Sequence, residues 1–127
     1  MRYLELEEVI YIYSEIIKRT GGEPGIADEQ LLEAALSKPL VAFDGEELYP
    51  DIFTKVAVLT YALVTSKPFT VGNKRTALIC ALLLLRVNGY QIVATQDSLV
   101  DLMLSTEAGK MKVDQLVTWF RRNAVLV

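Results

Sequence analysis

Residues 67–85 of the chain read KPFTVGNKRTALICALLLL, a short loop that continues directly into a strongly apolar segment. Pro68 and Gly72 are typical of a loop, whereas residues 77–85 are apolar on every face. A helix that is apolar all round is usually buried on all sides. We therefore predict that a helix beginning near Asn73 is the buried central helix of the fold.

Two cations, Lys74 and Arg75, fall in the first turn of this predicted helix. The N-terminus of a helix carries partial positive charge, which disfavours cations there unless an anion balances them. Free backbone N–H groups, the helix dipole and the two side chains would then converge on one anion. The sequence therefore predicts an anion-binding site at this loop, with solvated surface cations as the alternative.

Helical spacing of apolar residues dominates the rest of the sequence, and start and stop signals divide it into about six helices. Gly21-Gly22 ends the first helix, Asp28 is the N-cap of the second, and Pro50 lies in the first turn of the third. The last two helices are predicted at about residues 97–108 and 113–123. Residues 40–49 and 90–95 are predicted to be loop or short extended pieces. We predict a single all-α domain over residues 1–127, a compact helical bundle with a minor β element.

The composition argues against several classes of function. The net charge is −3, whereas nucleic-acid-binding proteins usually carry a basic excess, so we do not expect nucleic acid as a partner. The chain has no histidine and one cysteine, Cys80, so no disulfide within the chain and no metal site are predicted. The longest apolar run is too short to span a bilayer. We expect a soluble cytoplasmic protein without membrane contact.

The loop of residues 67–76 resembles the signature loop of the Fic/Doc superfamily, and in particular that of its death-on-curing (Doc) toxin branch. The loop of that branch reads roughly His-Pro-Phe-x-Asp-Gly/Ala-Asn-Lys-Arg-Thr. Seven of its ten positions match here, namely Pro68, Phe69, Gly72, Asn73, Lys74, Arg75 and Thr76. The resemblance covers most of the chain, because Gly21-Gly22, Pro24-Gly25, residues 31–36, Leu48-Tyr49-Pro50 and Asn88-Gly89-Tyr90 also look like Doc proteins.

The resemblance implies a Fic/Doc-type helical bundle that binds ATP or another nucleotide. It implies transfer of a phosphoryl group or of AMP from that nucleotide to a hydroxyl of a protein target. For Doc toxins the target is a translation elongation factor, and an antitoxin encoded beside the toxin neutralises it. A segment that docks the target would lie within residues 41–49.

By position, the resemblance also assigns roles within the loop. The residues that would bind the nucleotide phosphates are Gly72, Asn73, Lys74, Arg75 and Thr76. Among them, the backbone and the Asn73 amide would donate hydrogen bonds, and the two cations would neutralise the phosphate charge. Arg75 is favoured for a bidentate contact with the phosphate. Phe69 would be a buried structural anchor of the loop.

Two positions depart from the family pattern. Lys67 stands where the family has the catalytic histidine that takes the proton from the attacking hydroxyl, and Val71 stands where it has the acidic magnesium ligand. An ordinary lysine has a pKa near 10.4, so at pH 7 only about one molecule in a few thousand carries the free amine. Valine cannot bind magnesium, which normally neutralises the charge of phosphoryl transfer. We therefore predict an intact phosphate site with impaired chemistry, and the use of Mg²⁺ stays open.

Two functions are compatible with these residues. The first is a Doc-like transferase that acts on a protein hydroxyl. The second is a non-catalytic regulatory module of Fic fold that binds a nucleotide or a protein.

Overall fold

The computed structural model describes residues 1–127 and contains six α-helices and two small two-stranded sheets. The helices are α1 (Leu6–Thr20), α2 (Glu29–Ser37), α3 (Ile52–Ser66), α4 (Asn73–Val87), α5 (Gln96–Glu107) and α6 (Val113–Asn123). The strands are β1 (Ala42–Phe43), β2 (Glu46–Glu47), β3 (Tyr90–Ile92) and β4 (Ala124–Leu126), and a 3₁₀-helix covers Lys38–Leu40. The predicted all-α fold of about six helices with a minor β element is confirmed. None of the helices has the length and apolarity that crossing a membrane requires.

Side-chain caps fix where α2, α3 and α5 begin, the last through the Thr95 hydroxyl. Asp28 accepts a hydrogen bond from the Leu31 N–H group at 3.1 Å and begins α2, as the sequence predicts. Asp51 begins α3 in the same way, accepting from the Thr54 N–H group at 2.9 Å. The predicted place of Pro50 inside the first turn is therefore wrong. Asp51 supplies the acceptor that the free N–H groups of that turn need, and Pro50 lies just before it.

A single hydrophobic cluster of 23 buried residues joins the helices, with α3 and α4 at its centre. Helix α3 buries nine of its residues and α4 buries six. The sequence predicts that α4 is buried on every face, but Ile79 is 42% exposed and Leu78 is only half-buried. Helices α1 and α5 pack on either side of this face and leave a groove between them. Helix α4 is thus central but has one uncovered face.

Both sheets are antiparallel and each consists of two strands. Strands β1 and β2 form a hairpin in which Phe43 faces Glu46, and Asp44-Gly45 makes the turn with φ angles of 51° and 79°. Two left-handed residues in succession form the turn type that matches the twist of a hairpin, and Asp-Gly is one of its preferred pairs. Strand β4 pairs with β3, so the apolar end of the chain lies against the segment that follows α4.

Candidate functional site

The loop between α3 and α4, residues 67–72, has a left-handed residue at each end. Lys67 follows the last residue of α3 with φ of 50°, and Gly72 precedes the first residue of α4 with φ of 81°. A side chain at Gly72 would also meet the Ile17 Cδ1 atom at 3.1 Å, so α1 approaches the loop closely there. The left-handed conformation of a residue with a side chain costs about 1–2 kcal/mol. Contacts elsewhere in the loop must offset this cost at Lys67.

Phe69 lies at the centre of these contacts. Its side chain is 2% exposed and stacks on Tyr13, with ring centroids 4.0 Å apart. Its backbone N–H group donates to Asn73 Oδ1 at 3.0 Å, and Asn73 Nδ2 donates to its carbonyl oxygen at 2.9 Å. The Asn73 amide therefore braces the loop, and its contact with a phosphate stays a prediction for the second Nδ2–H donor. The N-cap of α4 is Gly72.

Residues 21–28, which connect α1 to α2, hold the outer side of the loop. Thr70 N–H donates to Gly25 O at 3.0 Å, and the N–H group of Ala27 donates to Pro68 O at 2.8 Å. Tyr13 ties this connection to α1, because its hydroxyl accepts from Gly25 N–H at 2.7 Å and donates to Gly25 O at 3.2 Å. The loop is thus fixed from the core side by aromatic stacking and from the solvent side by backbone hydrogen bonds.

The N-terminus of α4 has the features of an anion site. No side chain caps it, and its first backbone hydrogen bond runs from Thr76 N–H to Gly72 O at 3.0 Å. The N–H groups of residues 73–75 therefore have no partner within the helix. Arg75 is exposed and takes part in no ion pair. A cavity of about 270 Å³ opens here, lined by Ile17, Thr20, Gly21, Val71, Gly72, Asn73, Lys74 and Arg75.

Thr76 is the one residue of the predicted binding half that does not line this cavity. It is fully buried in the core, and its hydroxyl oxygen has no hydrogen-bond partner. Three residues into the helix, the chain has turned the side chain away from the N-terminus and toward the packed interior. The predicted phosphate contact of Thr76 is therefore corrected to a core position.

Lys67 and Lys74 converge on one carboxylate, that of Glu107 at the end of α5. Lys74 Nζ lies 3.1 Å from Glu107 Oε1 and 3.0 Å from Oε2, and Lys67 Nζ lies 3.5 Å from Oε2. The hydrogen bond from Lys74, together with the charges of both lysines, lowers the pKa of Glu107 below its ordinary value. Lys67 Nζ is therefore engaged in an ion pair with Glu107 and is not free to contact the hydroxyl of a target.

Val71 packs where the family pattern has an acid. Its side chain is 41% exposed, and a side chain at Gly22 would meet Val71 Cγ2 at 3.3 Å. No group of three or more histidine, cysteine, aspartate or glutamate side chains in the protein is placed to hold a metal ion. Residues 67–72 therefore contribute no carboxylate to the site.

The β1–β2 hairpin lies in the segment where the resemblance places target docking. Phe43, at the end of the hairpin, is 79% exposed. A buried cation secures the base of the hairpin, because Lys55 on α3 is 2% exposed and its Nζ donates to Glu47 Oε1 at 3.0 Å and to the carbonyl oxygen of Tyr49. The hairpin thus presents a large apolar side chain to solvent from an anchored base.

Sequence reasoning missed three residues of this region. Glu107 lies 33 positions from Lys74, and Lys55 lies within an apolar helix. Neighbouring residues in the sequence therefore do not indicate the ion pair of either one. Tyr13 reads only as a member of the apolar stripe of α1. Its position opposite Phe69 depends on the packing of α1 against the loop.

Comparisons with known proteins show the family of this chain. A model of the Fic/DOC family matches residues 3–85. The "Protein kinase doc" of Escherichia phage P1 is 34% identical over 122 residues, which are 96% of this chain and 95% of the relative. The "Toxin Doc" of Mycolicibacterium smegmatis is 36% identical over 95 residues, which are 75% of this chain and 71% of the relative. The loop before α4 and these matches together show that the chain belongs to the Fic/DOC family.

Proposed function

We propose that this protein is a Doc-like member of a toxin–antitoxin pair, a single Fic/Doc domain over residues 1–127 that binds the phosphates of a nucleotide. The observation that carries the proposal is the N-terminus of α4. There, exposed Arg75 has no ion pair and the N–H groups of residues 73–75 have no partner in the helix. Unpaired donors and a free guanidinium beside one cavity suit the oxygens of a phosphate. Because Fic/DOC proteins in general depend on a nucleotide, ATP is the first ligand to test.

The residues fit a nucleotide phosphate but do not fit a bound magnesium ion. The cavity of about 270 Å³ at the loop is lined on one side by the cationic and N–H donor groups. Val71 has no oxygen to offer, and the Glu107 carboxylate is already engaged with two lysines. We therefore assign the binding of phosphate to Gly72, Lys74, Arg75 and the backbone of Asn73, and derive no step through a metal.

Transfer of a phosphoryl or AMP group to a protein hydroxyl is strongly impaired in this proposal. Lys67 stands where the family has its histidine and its Nζ is engaged by Glu107, so the hydroxyl of a target would have no efficient proton acceptor. The target, a translation factor or another protein, would dock on the β1–β2 hairpin. Incubation of the protein with radiolabelled ATP and a cell lysate tests this directly. We expect labelling close to that of an Arg75→Ala control, and fast labelling that needs Arg75 would contradict the impairment.

Replacing Arg75 with alanine is expected to weaken ATP binding by roughly 10-fold or more. A hydrogen bond to a charged group contributes about 1.5–3 kcal/mol, and Arg75 is the free guanidinium at the site. Calorimetry with ATP measures the affinity. The affinity should be nearly the same with and without Mg²⁺, because the loop has no ligand for the metal.

Arg86→Ala is the matched control for this measurement. Arg86 is an exposed arginine near the other end of the same helix, where it donates to Gln91. We expect Arg86→Ala to bind ATP like the unchanged protein. If the unchanged protein bound no nucleotide, or if both arginine variants bound equally well, the phosphate site would lie elsewhere or not exist.

The groove on the uncovered face of α4 is our proposed docking surface for the antitoxin. It measures about 390 Å³ and is lined by Ile16, Arg19, Thr20, Arg75, Leu78, Ile79, Gln96, Leu99 and Val100. An apolar floor between two helices suits an amphipathic helical segment. Arg19, like Arg75, forms no ion pair within the protein, so the segment should carry acidic residues that face the two arginines. Because Arg75 belongs to both sites, an antitoxin bound here would also neutralise the phosphate site.

Replacing Ile79 with glutamate is expected to weaken antitoxin binding by roughly 10-fold or more. The change places a charge on the floor of the groove, where a docked segment would have to desolvate it. Calorimetry against the product of the neighbouring gene measures the effect. Val93→Glu, at an exposed valine outside the groove, should bind as the unchanged protein does. Equal binding by both variants would place the antitoxin on another surface.

A non-catalytic regulator of Fic fold is the second candidate function. Lys67 and Val71 favour it, because together they remove the proton acceptor and the metal ligand while leaving the binding half of the loop in place. In this case the bound nucleotide would control which partner occupies the protein and would not be consumed.

A further inference from the structure

Glu107 occupies an unfavourable place in its own helix. It is the last residue of α5, and a helix C-terminus carries partial negative charge, which disfavours an acidic side chain. Lys74 is equally misplaced in the first turn of α4, where the partial charge is positive. The structure resolves both misfits at once, since the Glu107 carboxylate contacts Lys74 Nζ through both oxygens and Lys67 Nζ through one. The pair of lysines is therefore already neutralised in part before any ligand binds.

The three cations of the site, Lys67, Lys74 and Arg75, consequently differ in how freely they can contact a ligand. Lys67 and Lys74 share a carboxylate, while Arg75 has none. A phosphate that approached the N-terminus of α4 would meet Arg75 and the free N–H groups without competition. It would have to compete with the carboxylate for the two lysines, because Lys74 Nζ contacts both Glu107 oxygens and Lys67 Nζ lies 3.5 Å from Oε2.

We propose that Glu107 is an internal counter-ion of the phosphate site and determines which anions the site accepts, by competing with the ligand for Lys67 and Lys74. The inference rests on the proposed phosphate site. A monophosphate can be held by Arg75 and the backbone, and it has little charge left to displace a carboxylate from two lysines. A triphosphate carries several charges along its length and can bind Arg75 at one end while replacing Glu107 at the other. Glu107 therefore lowers the affinity of polyphosphates, which must displace it from the lysines, more than the affinity of single anions, which need not.

The test compares Glu107→Gln with Asp101→Asn by calorimetry, using ATP, AMP and inorganic tripolyphosphate without metal. Both variants remove one negative charge from exposed positions of α5, but Asp101 forms no ion pair. Removing one opposing charge a few ångströms from a ligand in a solvent-exposed site changes affinity by roughly 5-fold. We expect Glu107→Gln to tighten ATP and tripolyphosphate binding by about that factor and to tighten AMP binding less, so that the preference for polyphosphate rises. Asp101→Asn should leave all three affinities unchanged.

The outcomes separate this inference from the proposed function. If the unchanged protein binds ATP and Glu107→Gln leaves the preference for polyphosphate unchanged, Glu107 is a structural ion pair only and the inference is overturned while the phosphate site stands. If Asp101→Asn has the same effect as Glu107→Gln, the effect is one of net charge and the inference is again overturned. If only Glu107→Gln binds anions, the competition is stronger than proposed and the inference is supported. If no variant binds any of the three, the phosphate site is absent and both proposals are wrong.

Discussion

Replacing Phe69 with alanine is expected to lower the free energy of unfolding by about 3–5 kcal/mol, the usual cost of truncating a fully buried aromatic side chain. Phe69 is 2% exposed and stacks on Tyr13, so the change opens a cavity between the loop and α1. Urea denaturation followed by circular dichroism measures the loss. The loop would also lose its anchor, so the remaining folded protein should bind ATP less tightly.

Phe43→Ala is the matched control, because Phe43 is the same residue type at a position that is 79% exposed. Its truncation should change the free energy of unfolding by no more than about 0.5 kcal/mol. A loss below about 1 kcal/mol for Phe69→Ala would show that the loop can collapse around the missing ring. In that event Phe69 would not be the anchor that both the family resemblance and the packing indicate.

Much of the fold could be predicted because its signals are local. Asp28 marks the start of α2, Gly21 ends α1, and Asp44-Gly45 makes a turn, each within a few residues of the group it bonds or the conformation it adopts. The uncovered face of α4 could not be predicted in this way. Apolar spacing shows that Ile79 can be buried, but only the placement of α1 and α5 decides whether another helix covers it.

In the candidate site, too, some features could be predicted from the sequence and others depend on tertiary packing. The N-terminal position of Arg75 in α4 follows from the sequence, and the structure gives it the exposure that a ligand needs. The hydrogen-bond partner of Asn73 and the ion-pair partner of Lys74 cannot be predicted from the sequence. Asn73 has four hydrogen-bonding directions and the structure uses two of them on Phe69, while Lys74 pairs with a residue from another helix. Side chains with several potential partners are assigned by tertiary packing, which a single sequence does not specify.

Restoring the two family residues by the double substitution Lys67→His and Val71→Asp is expected to raise transfer from labelled ATP to a protein target by about 10²–10⁴-fold, the usual contribution of general acid–base catalysis. The backbone should accept both changes. Histidine tolerates the left-handed conformation of position 67 better than most residues, and Val71 is 41% exposed, so an aspartate there can reach solvent and a metal ion. Labelling should then require Mg²⁺, which the unchanged loop has no ligand to hold.

The control is the same double substitution in an Arg75→Ala background, which should lose the restored activity because the phosphate is no longer held. Lys67→His alone should recover less than the double variant, since it restores the proton acceptor without the metal ligand. If the double variant folds, binds ATP and still transfers no label, the scaffold itself no longer aligns nucleotide and target. The protein would then be a regulator that kept the phosphate site of its family, and the exposed hairpin and groove would be the surfaces through which it acts.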